Sequence, residues 1–277
     1  LLTHRAGLPA LDRPLTRDEV LAWDPVIDAI EAQAPLWAPG TAHSYHTHTY
    51  GWLVGEVIRR LTGEPVGSFV RRRLAEPLGL RLWIGLPSDE RDQVAWRLAP
   101  LPDTDPDAAR EVRAALVEPV VSRSATMGGA FAFPAEGDHV TFNDPDIQAA
   151  EIPASNGIAD ARSLARLYAA CVSPIDGVRL LSPASIDDAL IERSSGRQRY
   201  GAPDRGERWG TGFLISSPPN VPLLGPRSFG HPGAAGELAF ADDERGVGFA
   251  YVNNQMGGFP DDRARLLVEA LRACLDG

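Results

Sequence analysis

Residues 43–50 read HSYHTHTY and hold three of the chain's six histidines. Imidazole is the commonest zinc ligand, so His43, His46 and His48 form a candidate metal site. The segment has no cysteine, aspartate or glutamate to complete a ligand set, and the nearest carboxylate downstream is Glu56. We therefore expect no metal, and we expect these histidines to hydrogen-bond the entry of a helix or to line a cleft.

The same segment contains Tyr45, a candidate proton carrier. A tyrosine has a pKa near 10, so it acts as a base near neutral pH only where cations or dipoles stabilise the phenolate. Tyr45 lies just before an expected helix, where free N–H groups and the helix dipole favour negative charge. The structural alternative is a packing tyrosine whose ring is buried and whose hydroxyl is hydrated.

A second candidate is the stretch FGHPGAAGE, which places His231 on an expected strand with a proline, a glycine and an alanine directly after it. A glycine at this point lets a ligand approach the backbone closely, and a following N–H could donate to an oxyanion. A single histidine on a strand is more often structural, so both interpretations stay open here.

These candidates must be positioned by the surrounding elements. Apolar residues recur at helical spacing over 50–61, and Gly63 with Pro65 ends that helix. Thr47 or Thr49 is its expected N-cap. Further helices are predicted at 66–75, at 107–116, from about residue 161, after Ser182 as N-cap, and at 260–275 with Leu266, Leu267, Ala270, Leu271 and Cys274 facing inward. The rest of 86–153 is expected to be long loops.

From Trp209 onward the hydrophobic period changes to two, which predicts strands. The expected strands are WGTGFLIS, RSFGHPG, GELAFAD and GVGFAYVNN, with DDERG as a hairpin connection. We therefore predict an α+β fold in which helices flank an antiparallel β-sheet. We expect one domain over residues 1–277, with helices and loops to about residue 200 and strands plus a final helix over 205–277.

Composition limits the function. The net charge of −10 comes from 37 acidic and 27 basic residues without a basic block, so nucleic acid is a poor partner. No run of about eighteen apolar residues predicts a membrane span. Every basic residue is arginine, so these residues cannot supply a lysine amine. The motifs G-x-S-x-G, H-E-x-x-H, the Walker loop and G-x-G-x-x-G after a strand are all missing, and no cofactor is expected.

Several segments together resemble the serine β-lactamase and penicillin-binding-protein superfamily, within it the class C-like esterase branch. The segments that carry the resemblance are LLTHRAGLP, PGTAHSYHTHTYGWLVGEVIRRLTG, FGHPGAAG, SNGIADARSLARLYAA and GVGFAYVNNQM. The resemblance extends over most of the chain except about 86–147. It is specific for the family and much less so for the substrate.

The resemblance implies a serine hydrolase that forms an acyl-enzyme with a small-molecule ester. Tyr45 would move protons together with a lysine, and His231 would stand where the family's third motif begins and orient Tyr45. The N–H of Ala234, after Gly233, would form the oxyanion hole with the serine N–H. The family's Ser-x-x-Lys element does not occur in these residues, so we expect it upstream of Leu1, in a missing N-terminal part.

Two departures bear on the substrate. Thr47 stands where the lactamase version of the tyrosine motif has an asparagine, which contacts the substrate amide there. His231 stands in place of the lysine of K-T-G. Both departures favour esters over β-lactams. A β-lactamase, a D-amino-acid peptidase, an acyltransferase and a non-catalytic binding member of the fold remain as alternatives, and the oligomeric state and compartment stay open.

Overall fold

The computed structural model describes residues 1–131, 141–201, 204–219 and 221–277. Most helices precede the main sheet, and the last one follows it. The α-helices are α1 (Arg17–Leu21), α2 (Asp24–Ala32), α3 (Thr49–Thr62), α4 (Val66–Val70), α5 (Glu76–Leu78), α6 (Pro106–Leu116), α7 (Pro119–Thr126), α8 (Pro145–Ala149), α9 (Ala161–Val172), α10 (Pro183–Ala189) and α11 (Arg263–Asp276). A π-helical turn, Arg71–Ala75, joins α4 to α5.

The strands form two antiparallel sheets. They are β1 (Leu82–Trp83), β2 (Ile158–Ala159), β3 (Ser194–Ser195), β4 (Arg208–Trp209), β5 (Leu214–Ile215), β6 (Ser228–Pro232), β7 (Leu238–Asp242) and β8 (Val247–Tyr251). β1 pairs with β2, and the other six pair in chain order from β3 to β8. This antiparallel sheet with flanking helices confirms the predicted α+β class.

The six-stranded sheet is buried on both faces. Phe229 of β6 and Ala241 of β7 pack with Cys171 and Ile186, which come from α9 and α10. On the opposite face, a second cluster consists of buried residues of β7, α11 and the loop before β6, namely Leu223, Leu224, Leu238, Phe240 and Val268. Helices therefore pack on both faces of the sheet that contains β6, the strand that carries His231.

α3 forms where the hydrophobic pattern predicted it, and Gly63 ends it in the left-handed conformation. The N-cap prediction was wrong. His48 occupies that position without a side-chain hydrogen bond to the helix. The Thr49 hydroxyl donates to the Leu8 carbonyl instead, at 2.7 Å, and Thr47 accepts from the Ser124 hydroxyl. Tertiary partners thus replaced the local capping bonds.

Other predictions were confirmed in part. α6 and α10 form as expected, and Ser182 caps α10 by accepting from Ser185 N–H. The stretch WGTGFLIS forms two short strands, β4 and β5, because Gly212 turns the chain between them at φ +84°. The region 86–153 is more helical than expected, with α7 and α8 in addition to α6; its residues 132–140 lie outside the described ranges.

The inward face of α11 differs from the prediction. Val268 is its buried residue, and Ala264 and Leu271 pack beside it against the sheet. Leu266 and Leu267 are 55% and 44% exposed, and Cys274 is also exposed. Spacing of three and four residues from Val268 selects one stripe, so the apolar residues outside that stripe face away from the sheet. Within the described ranges, no helix is long and apolar enough to cross a membrane.

Candidate active site

The segment that carries Tyr45 is held by hydrogen bonds to distant residues of the chain, which precede β4. The Gln198 side-chain oxygen accepts the Tyr45 backbone N–H at 2.8 Å. Next to it, the Ser44 hydroxyl accepts the Tyr200 N–H at 2.8 Å, and Arg199 N–H donates to the His43 carbonyl at 2.9 Å. These three bonds fix the backbone before α3 without any helical hydrogen bond. They determine where the Tyr45 ring enters the site.

Tyr45 and His231 meet at the centre of the site. The Tyr45 hydroxyl lies 3.4 Å from His231 Nε2, and the two rings are stacked with centroids 5.8 Å apart. Trp209 of β4 contacts both rings: it stacks on Tyr45 with centroids 5.5 Å apart and is tilted against His231 at 5.4 Å. The two residues predicted to be catalytic are therefore in direct contact, and the ring of Trp209 packs against both.

The proton on His231 can be assigned from its partners. Its Nδ1 faces the Pro232 carbonyl, which only accepts, so Nδ1 carries the hydrogen. In the neutral ring Nε2 then has a free lone pair, and it accepts from the Tyr45 hydroxyl. Burial lowers the pKa of His231 below its ordinary value and so favours this neutral ring. The geometry suits a histidine that orients the tyrosine hydroxyl.

The electrostatics of Tyr45 differ from the expectation. Burial raises the pKa of Tyr45 to about 12, and the negative charges of Glu207 and ionised Tyr50 act in the same direction. The expected help from the helix dipole is small because α3 begins four residues later, at Thr49. Tyr45 therefore holds its proton at neutral pH unless a cation is brought to the hydroxyl.

The turn after His231 presents one unpaired donor. Gly233 N–H donates to the Glu237 carbonyl at 2.7 Å, Ala235 N–H to the Glu237 carboxylate at 3.2 Å, and Gly236 N–H to the Gly233 carbonyl. Among the described residues, the N–H of Ala234 has no acceptor, and Ala234 is exposed. An oriented, free N–H beside the histidine strand is the arrangement that an oxyanion hole requires.

The rings of His46 and His48, two of the three clustered histidines, are engaged in hydrogen bonds within the protein. His46 Nδ1–H donates to the Ser44 carbonyl at 2.7 Å, and its Nε2 accepts the Leu8 N–H at 3.1 Å. His48 donates from Nε2 to the Ala125 carbonyl at 2.9 Å and accepts from the Ser155 hydroxyl at Nδ1. Within the described ranges, no group of three or more His, Cys, Asp or Glu side chains is arranged to hold a metal ion.

The sequence did not point to His4 and Trp209, two residues whose rings contact Tyr45. His4 packs against Tyr45, Tyr50 and Trp209 with centroid distances of 4.6 to 4.9 Å, and its Nδ1 accepts the His46 backbone N–H. The backbone of His4 is in the left-handed region, at φ +56°, which is rare for a histidine. Only the three-dimensional structure reveals this strain. The sequence predicted Trp209 only as the first residue of a strand, and nothing in the sequence indicated that its ring would contact Tyr45.

Comparison with known proteins identifies the family of the chain. The family model described as beta-lactamase matches residues 1–273. The esterase/beta-lactamase LipL of Mycobacterium tuberculosis is 32% identical over 264 residues, which is 92% of this chain and 58% of LipL. The chain thus spans less than two thirds of that relative.

Two solved structures are similar along the chain. A penicillin-binding-protein homologue from Caulobacter crescentus is 35% identical, with a TM-score of 0.78 over 98% of this chain and 69% of that one. A family VIII carboxylesterase is 29% identical, with a TM-score of 0.79 over 99% of this chain and 69% of that one. Because the family model matches residues 1–273, the chain belongs to the beta-lactamase family.

Proposed function

We propose that the protein is a serine esterase that cleaves small acyl esters through an acyl-serine intermediate. The observation that carries the proposal is the contact between the Tyr45 hydroxyl and His231 Nε2, in a chain of the beta-lactamase family. The names of two relatives support the reaction class, since one is an esterase/beta-lactamase and the other a carboxylesterase. The serine and lysine come from a Ser-x-x-Lys segment that is not among these 277 residues, which contain no lysine.

Each residue has a defined task in the proposed reaction. The serine Oγ attacks the ester carbonyl while its proton passes to the Tyr45 oxygen, which the lysine ammonium stabilises as a phenolate. Ala234 N–H and the serine N–H stabilise the oxyanion, and Tyr45 then protonates the departing alcohol. Water attacks the acyl-serine by the same route and releases the acid. His231 orients the Tyr45 hydroxyl in the states in which Tyr45 is protonated.

The raised pKa of Tyr45 supports a role for the lysine. With a pKa of about 12, the hydroxyl takes up and gives back a proton near neutral pH only beside a positive charge. The Tyr45 hydroxyl contacts a neutral histidine and aromatic rings, and within the described residues it has no arginine partner. A lysine ammonium near the hydroxyl would lower the pKa, which is the reason that we place the lysine beside Tyr45.

The preference for esters rests on two positions. Thr47 takes the place of the asparagine that contacts the amide in the lactamase version of the motif, and the Thr47 hydroxyl is already engaged with Ser124 at 3.1 Å. His231 takes the place of the lysine of K-T-G, so this strand contributes a neutral ring that suits an uncharged ester. β-Lactamase, D-amino-acid peptidase and acyltransferase activity are the rival enzymatic proposals.

The activity is tested by comparing a short nitrophenyl ester, a chromogenic cephalosporin and a D-alanyl peptide. Ester turnover that exceeds the other two is expected; strong cephalosporin turnover without ester cleavage would overturn the esterase assignment. An acyltransferase would instead form its product only when an alcohol or amine acceptor is added. The rival from another class is a binding protein of this fold, and the reading frame upstream of Leu1 decides it: an encoded Ser-x-x-Lys favours the enzyme.

A further inference from the structure

The carboxylate of Glu237 organises the turn that presents the proposed oxyanion donor. Its Oε2 accepts the Ala235 N–H at 3.2 Å, while its carbonyl accepts the Gly233 N–H and closes the hairpin between β6 and β7. The carbonyl of Ala235 is held from the other side by Asn253 Nδ2 at 3.1 Å and by Arg263 Nη2 at 3.2 Å. The residues on both sides of Ala234 are thus fixed, while its own N–H has no acceptor among the residues that the structure describes.

A loop from the other half of the chain reaches this turn. Arg97 Nη2 lies 2.7 Å from Glu237 Oε1, across 140 positions of sequence. The Arg97 backbone is clamped by the buried Asn143, which accepts its N–H at 2.9 Å and donates to its carbonyl at 2.8 Å. Next to it, Leu98 N–H donates to the Asn254 carbonyl at 2.7 Å. Arg97 is therefore presented from a fixed backbone.

A contribution to folding stability explains the ion pair between Arg97 and Glu237 poorly. Both side chains are mostly buried, with 26% and 21% of their surfaces exposed, so each lost much of its hydration on folding. Arg97 Nη1 is buried and has no partner within the described ranges, which leaves part of that cost unrecovered. Such a pair contributes little net stability, and its effect is on geometry.

We propose that Arg97 is a positioning residue for the oxyanion hole, and this inference rests on the proposed esterase function. Its guanidinium holds Glu237 Oε1, so that Oε2 stays against the Ala235 N–H and the peptide that carries the Ala234 N–H keeps its direction. Oxyanion stabilisation depends on donors that are oriented before the charge develops, so a loose turn lowers the rate of acylation more than it lowers substrate binding.

The experiment uses the complete protein with its Ser-x-x-Lys segment. Arg97→Met is expected to lower kcat on a short nitrophenyl ester about tenfold, with KM changed less than about twofold, because the donor is misaligned in the transition state. Arg97→Lys keeps the charge and is expected to restore most of kcat. Adding Glu237→Gln to Arg97→Met is expected to lower kcat little further, because both changes break the same pair.

Arg227→Met is the matched control. Arg227 Nη2 pairs with Asp243 at 2.7 Å, at the opposite end of the same two strands, β6 and β7. The kcat of Arg227→Met is expected to equal that of the unchanged protein. A kcat loss in Arg227→Met equal to that in Arg97→Met would show that any weakening of the hairpin has this effect and would overturn the proposal.

A second readout does not depend on turnover. Amide hydrogen exchange over residues 233–237, followed by mass spectrometry, is expected to speed up in Arg97→Met and to stay unchanged in Arg227→Met. Unchanged exchange in Arg97→Met would overturn the positioning role even if kcat falls. If the unchanged protein cleaves no ester, the esterase proposal fails, and the exchange comparison alone decides whether Arg97 orders the turn.

Discussion

The hydroxyl of Tyr45 lies 3.4 Å from Nε2 of His231, and the two residues are 186 positions apart in the chain. The contact is directional, because the His231 Nδ1–H is engaged with the Pro232 carbonyl and only Nε2 is left to accept. One side chain precedes the first turn of α3 and the other is on β6. The helical region and the sheet thus meet at this hydrogen bond.

Replacing Tyr45 by phenylalanine removes the hydroxyl and keeps the ring that contacts Trp209 and His231. We expect kcat for ester hydrolysis to fall at least about a hundredfold, as for the loss of a general acid-base group. The matched control is Tyr50→Phe, a tyrosine that packs on His4 with centroids 4.9 Å apart and does not contact His231. Its kcat should stay within about threefold of the unchanged protein; equal losses in both variants would contradict the role of Tyr45.

The pH dependence of kcat/KM should show the state of His231. Burial lowers its pKa below the ordinary value, so the ring stays neutral as the pH falls through about 6.5 and becomes protonated only at lower pH. Protonation puts a hydrogen on Nε2 and removes the acceptor for Tyr45. Activity is therefore expected to persist below pH 6.5 and to fall at lower pH. His231→Gln, which cannot titrate, should lose this acid limb; an unaltered limb would assign it to another group.

His46 should make folding stability depend on pH. Burial lowers the pKa of His46 to about 4. The unprotonated Nε2 accepts the Leu8 N–H. Between pH 6.5 and about 4 the unfolded chain binds this proton and the native protein does not, so the stability falls as the pH falls.

From pH 7 to pH 5 this one group is expected to lower the free energy of unfolding by about 2 kcal/mol. Denaturant titrations of the unchanged protein and of His46→Asn at both pH values test it. The variant is expected to be less stable at pH 7, since it lacks the ring that bonds both Ser44 and Leu8, and its stability should decline less on acidification. The same decline in both proteins would be the contrary result.

Gly230 is the residue that lets β6 and β7 approach directly before His231. A Cβ at this position would lie 2.5 Å from the Phe240 Cα and would also collide with the Ala239 carbonyl. Gly230→Ala is therefore expected to lower the free energy of unfolding by about 1–3 kcal/mol and to reduce kcat by displacing His231. Gly157→Ala is the control, because its Cβ would meet no atom within 4 Å. Thermal unfolding and ester assays of both variants decide the comparison.

Local signals predicted the elements that position the site, and they failed where tertiary partners competed. The Gly63 stop, the Ser182 cap and the period of two in β6 to β8 were sufficient, since each acts within a few residues. The N-cap of α3 was wrong because the threonine hydroxyls bonded residues outside the helix, Leu8 and Ser124. Propensity is a weak prior against such contacts.

The sequence by itself determined the fold class and the absence of a lysine from these 277 residues, and it singled out Tyr45, His231, Gly233 and Ala234 as candidate site residues. Only the tertiary structure decided that Tyr45 contacts His231, that Trp209 and His4 pack against Tyr45, and that burial raises the pKa of Tyr45. The physical reason is that spacing along the chain encodes local periodicity. Burial and hydrogen-bond partners depend on which distant segments pack together.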